Sequence, residues 1–119
     1  SYGLDYWCES KESSFWMEVK CRSFGINKYE TLLLSASKLR MGAALSLATN
    51  RPFVLVFAMT DSVYSHTWAK DKVYDVRFGT IAEPQLPEDS EPYIHLHQTD
   101  LVCLSDSPLG FDRDELGLT

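Results

Sequence analysis

Leu4-Asp5-Tyr6-Trp7-Cys8-Glu9, the polar break Ser10-Lys11-Glu12-Ser13, and Phe15-Trp16-Met17-Glu18-Val19-Lys20-Cys21-Arg22 decide the fold. Two runs rich in aromatic and apolar residues flank a polar segment of hairpin length. This pattern predicts strands over 3–9 and 15–22. A four-residue loop then sets the register: Glu9 faces Ser14, Trp7 faces Trp16, and Asp5 faces Glu18. Side chains alternate along a strand, so Glu18 and Lys20 share one face. Met17, Val19 and Cys21 point the other way, toward a core. Two carboxylates and one ammonium are thereby gathered on one surface. Like charges placed directly opposite are unfavourable in a sheet, and a divalent cation is the natural compensation.

Working outward, residues 23–28 read as a loop, and 29–34 stay open between loop and short strand. Ser35–Asn50 is the best helix: Ala, Leu, Met, Lys and Arg dominate, Ser35 or Ser37 caps its start, and Asn50 with Pro52 brackets its end. Gly42 inside it permits a close backbone approach or is simply tolerated. Phe53–Met59 is a continuous run of apolar β-formers, as expected of a central strand buried on both faces. A turn at Thr60-Asp61-Ser62 leads to strands over 63–68, 73–78 and 93–97. Residues 83–92, with three prolines and four acids, predict a solvent loop, and 106–119 a loosely held tail. The expectation is an α/β fold: a mixed β-sheet with one principal helix packed on it. Residues 63–104 extend or cover that sheet, 1–104 form one domain, and 105–119 form the tail.

The chain has 119 residues, 45% hydrophobic and 24% charged, the balance of an ordinary globular protein. Its net charge of −6 counts against nucleic acid as a partner, since phosphate binding leaves a basic footprint. The charge is uneven, however. Residues 1–60 hold seven Lys or Arg against five Asp or Glu, so the negative excess lies entirely in the second half. Three cysteines without zinc-type spacing read as reduced thiols of a cytoplasmic protein. No apolar run reaches membrane-spanning length.

Leu4-Asp5-Tyr6 followed by Trp16-Met17-Glu18-Val19-Lys20-Cys21 resembles the signature of the PD-(D/E)XK nuclease superfamily, which includes restriction-endonuclease-like, phage-type and resolvase-like enzymes. There an Asp on one strand precedes Glu-x-Lys on the next; here twelve residues separate Asp5 from Glu18. Ser35-Ala36-Ser37-Lys38-Leu39 and then Phe53–Met59 resemble the helix and hydrophobic strand that follow in the family. The resemblance covers residues 4–61. It implies a nuclease that hydrolyses phosphodiester bonds in DNA with Mg²⁺ or Mn²⁺. Asp5, Glu18 and the backbone carbonyl of Val19 would ligate the metal. Lys20 would orient or activate water, and Lys38 would assist or contact phosphate. The family core also opens with a helix that supplies a further acid; nothing before Tyr2 presents one, so the expectation is either that the start of the core has been lost from this sequence or that the core is a reduced one without that helix. Members include binding-only domains, so a non-catalytic binding or assembly module is the alternative. A homo-oligomer or protein partner would help an acidic chain to hold DNA.

Other candidates carry less. His95-Leu96-His97 puts two imidazoles on one strand face, but no third ligand is placed, and both read as half-exposed structural residues. His66 reads as a strand residue. Cys8 neighbours no base that would make it a nucleophile. Tyr6, Trp7, Phe15 and Trp16 read as packing rather than as stacking platforms. Solvated surface is the default for Arg22, Lys28, Arg40 and Arg51. No phosphate-binding loop, dinucleotide fingerprint or nucleophile elbow occurs.

Overall fold

The computed structural model describes residues 6–9, 14–78 and 92–105, with backbone only for 6–9. Asp5, the turn at 10–13, the acidic loop over 83–91 and the tail at 106–119 lie outside the described residues.

The hairpin forms in the expected register. Strand β1 (Tyr6–Glu9) pairs antiparallel with β2 (Ser14–Cys21) through Tyr6↔Met17, Trp7↔Trp16 and Glu9↔Ser14. Next comes β3 (Thr31–Ser35), which settles the open reading of 29–34 as a strand. The helix α1 (Ala36–Thr49) follows, then β4 (Phe53–Ala58) and β5 (Val63–Thr67). The chain continues through β6 (Asp75–Phe78), β7 (Pro92–His97), a single 3₁₀ turn at Gln98–Asp100, and β8 (Val102–Ser105).

These strands make two sheets. The larger is mixed, with order β1-β2-β4-β5-β8. Its only parallel neighbours among the described strands are β2 and β4, joined through β3 and α1, because a parallel pair needs a long crossover. The smaller sheet, β3-β7-β6, is antiparallel throughout. Residues 63–104 therefore both extend the main sheet (β5, β8) and build the second one (β6, β7). Strand β8 lies in a stretch for which no separate strand is expected from sequence.

The central strand is β4. Phe53, Leu55 and Phe57 are fully buried on one face, and Val56 is buried on the other. The first face packs with Leu39 of α1 and with Leu32, Leu34, Ile94 and Leu96 of the second sheet in the main core. Behind the main sheet, Val19, Val56 and Val63 form a smaller cluster with Met17 and Val54 against it. Cys21, expected on that side, is exposed. Both ends of α1 are set by local chemistry. Ser35 Oγ accepts from the Lys38 N–H at 3.4 Å, and Asn50 takes the left-handed conformation at φ 55°. Gly42 faces Phe53 so closely that an added Cβ would overlap the ring. The close backbone approach allowed by the sequence is thus real.

Candidate active site

Glu18 sits on the β2 face that looks into the main core, beside Leu55 of β4. It is wholly buried. A carboxylate in such surroundings requires charged or hydrogen-bonding company. Two lysines supply it. Lys20, two residues along the same strand, brings Nζ to 3.1 Å from Glu18 Oε1. Lys38, from the first turn of α1, brings Nζ to 3.4 Å from the same oxygen. The side chains of Lys20 and Lys38 keep 26% and 15% exposure, so the cluster reaches solvent through them.

The position of Lys38 conflicts with the local rules for helices. The N-terminal end of a helix carries partial positive charge and favours acids. No acidic residue lies in the first turn of α1. A lysine there is tolerated because Glu18 of another element faces it. Such disagreement between local preference and tertiary placement is typical of functional positions.

Lys20 and Lys38 line a cleft of about 860 Å³. Arg22, Tyr29, Tyr93 and His95 line it as well. Arg22, expected as solvated surface, is instead partly enclosed. Its Nη2 donates to the Leu33 carbonyl at 3.0 Å and Nη1 to the Cys21 carbonyl at 3.1 Å, which ties β2 to β3. Burial pulls its pKa down from the ordinary arginine range, and Cys21 opposes that slightly.

The two histidines of β7 differ. His97 is exposed, and its Nε2 lies 2.9 Å from Asp75 Oδ2. His95, expected as half-exposed, is buried at 8% exposure, and its Nδ1 lies 2.9 Å from Thr31 Oγ1. Burial lowers the His95 pKa, and the nearby Arg77 charge lowers it further. Asp75 is held well below the usual carboxylate range, first by hydrogen bonding from Arg77 and then by His97. His66 is structural: Nδ1–H donates to the Asp100 carbonyl at 2.8 Å, and Nε2 meets the Tyr74 hydroxyl at 2.7 Å.

The structure thus brings Glu18, Lys20 and Lys38 together. Asp5 lies outside the described residues. The Val19 side chain is packed in the rear cluster. His95 and Tyr93 are cleft residues to which the sequence reading gave no role. The available signal was the period-two row Tyr93-x-His95-x-His97, which places three polar rings on one strand face.

The donor set is of the kind that suits a hard cation. Such ions take carboxylate oxygens and retain waters, and Glu18 of β2 is a carboxylate. Among the described residues no three His, Cys, Asp or Glu side chains group as metal ligands. No helix among the described residues is long and apolar enough to cross a membrane.

This fold, a mixed sheet carrying a principal helix with Glu-x-Lys on the strand beside the central one, is the frame of a PD-(D/E)XK nuclease-like domain. The chain belongs to the family described as "Phage putative PDDEXK endonuclease", whose model matches residues 1–102. No curated protein and no solved structure matches it.

Proposed function

We propose that the chain is a Mg²⁺- or Mn²⁺-dependent nuclease that hydrolyses phosphodiester bonds in DNA. One observation carries the reading: two lysines from separate elements converge on a single buried carboxylate beside an open cleft. A purely structural role would be met more cheaply by apolar residues, since a buried ion pair rarely stabilises relative to them.

Glu18 and the Val19 carbonyl would hold the cation together with Asp5. The pairing that puts Asp5 opposite Glu18 requires Tyr6 opposite Met17, and that pair forms. A bound divalent ion lowers the pKa of water and stabilises negative charge on a phosphoryl group. Lys20 orients the attacking water by donating a hydrogen bond to its oxygen. It also offsets charge that builds on the phosphate in the transition state. Lys38, from the helix start, contacts a non-bridging phosphate oxygen. Expulsion of water from Glu18 keeps these interactions strong.

A second reading, a binding or assembly module that keeps the fold, is favoured by one feature: two ammoniums already neutralise Glu18. Titration calorimetry with Mn²⁺ separates the two. Wild type should bind the ion, Asp5→Ala and Glu18→Gln should bind it weakly, and both should fail to cut plasmid or single-stranded DNA. Equal heats for all three, with no cleavage by wild type, would put the module in first place.

A further inference from the structure

The cleft beside Glu18 has two chemically different sides. Lys20 and Lys38 supply cations from β2 and α1, while Tyr29, Tyr93 and His95 supply rings from the second sheet and the loop before it. His95 is the informative member. It is more than nine-tenths buried, with Nδ1 engaged by Thr31 Oγ1. Its Nε2 has no hydrogen-bond partner among the described residues. Buried polar atoms are almost always partnered; His95 lines the cleft, and a ligand group entering there would supply the missing partner of Nε2.

The chemistry of that partner is constrained. Burial favours the neutral ring, so His95 offers one directional hydrogen bond and no charge. If Thr31 donates to Nδ1, Nε2–H is a donor; in the other tautomer Nε2 is an acceptor. A phosphate would be better served by the lysines. A nucleobase needs what this side provides: aromatic surface for its face and a polar atom for its edge. Tyr29 is 54% exposed, with Phe24 packed edge-on at 4.9 Å to fix its ring. The volume falls within the range of pockets that enclose small organic ligands. A base stacked in a duplex does not reach into such a cleft; it has to leave the stack.

The geometry points to a nucleobase subsite: the cleft receives one unstacked base of a DNA strand whose phosphate lies at Lys20 and Lys38, and His95 Nε2 bonds the edge of that base. This inference rests on the DNA reading above and adds to it a preference for unpaired strand.

The test is fluorescence anisotropy with the full chain in EDTA, where no metal-dependent cleavage interferes. The probes are a short fluorescein-labelled oligodeoxythymidine, its blunt duplex, and versions of the single strand with one abasic residue moved along its length. Single strand should bind more tightly than duplex. One abasic position should weaken binding about tenfold, the scale of a lost base contact. His95→Phe should weaken the intact strand similarly and lose sensitivity to that position. Tyr29→Ala, at an exposed loop site that does not threaten folding, should do the same. Binding of single strand that is indifferent to every abasic position and to both substitutions overturns the subsite and leaves the DNA reading standing. Binding of neither DNA overturns the DNA reading, and the subsite with it.

Discussion

Lys38 Nζ stands 3.4 Å from Glu18 Oε1, and this one contact joins the start of α1 to the strand beside the centre of the main sheet. The contact opposes the helix dipole and is kept by the buried carboxylate. Lys38→Met should therefore destabilise the wild type, although removing a cation from a helix N-terminus gains about 0.3–1 kcal/mol in isolation. In a Glu18→Gln background the same substitution should be neutral or stabilising. A double-mutant cycle from urea unfolding should give a coupling of about 1–3 kcal/mol. That is below the about 3–5 kcal/mol cost of breaking a fully enclosed pair, because Lys38 retains 15% exposure. A coupling near zero would remove the pair from any structural account of Lys38.

Lys20 separates positioned chemistry from simple charge. Its Nζ is 3.1 Å from Glu18 on the same strand face, so it has little freedom to withdraw. An arginine keeps the charge but is planar and larger. Lys20→Arg and Lys20→Ala should both lose cleavage, on plasmid and on single-stranded DNA with Mg²⁺ and with Mn²⁺, while Mn²⁺ binding and the circular-dichroism spectrum persist. Comparable cleavage by Lys20→Arg and wild type would refute the water-positioning role.

Gly42 should resist replacement for a steric reason. Alanine normally stabilises a helix interior by about 1 kcal/mol relative to glycine. Here its methyl would meet the ring of Phe53, which is fully buried and has nowhere to move. Gly42→Ala should lower stability by about 1–3 kcal/mol, the usual scale of overpacking. Adding Phe53→Leu should recover part of that loss in the double variant. A more stable Gly42→Ala protein would mean that α1 shifts freely on the sheet.

Tyr74 ties three segments together, with its hydroxyl 2.7 Å from His66 Nε2 and accepting from the Ala69 N–H at 3.2 Å. Tyr74→Phe leaves a buried imidazole nitrogen without that partner. Loss of about 1–3 kcal/mol is expected, read as a lower urea midpoint at unchanged slope. An unchanged midpoint would show that water replaces the hydroxyl.

Acid should weaken the fold in a window set by His95. Its folded pKa is lowered, first by burial and then by Arg77, from the ordinary value of 6.5. The unfolded chain therefore takes up a proton near pH 6.5 while the folded chain does not. Stability is full above that pH and falls as pH drops toward the folded pKa. Asp61, Asp75 and Asp100 also have lowered values, but from 3.8, so they act in a more acidic range. Melting temperature followed from pH 7 to 5 should decline for wild type and flatten for His95→Gln. Parallel curves would assign the decline to other groups.

The local features were legible from sequence because they depend on near neighbours. The pairs Glu9↔Ser14 and Trp7↔Trp16 follow from a four-residue turn and period-two alternation. The caps Ser35 and Asn50 are fixed by hydroxyl chemistry and left-handed tolerance at each end of α1. The unbroken apolar run 53–59 marks a strand covered on both faces, as Phe53, Leu55 and Val56 are. Glu18 and Lys20 on one face follow from their spacing alone.

Tertiary structure decided the rest. Alternation places Glu18 on a face but does not say how deep that face lies; only the packing of α1 and the second sheet over it excludes water. Lys38 meets Glu18 because the crossover from β2 to β4 sets the start of α1 over β2, a relation between residues twenty apart in sequence. The division into two sheets, the enclosure of Arg22 and the burial of His95 beside Thr31 arise from the pairing of β3 with β7. Strand partners so distant in the chain are chosen by the fit of whole faces, and no short stretch of sequence carries that information.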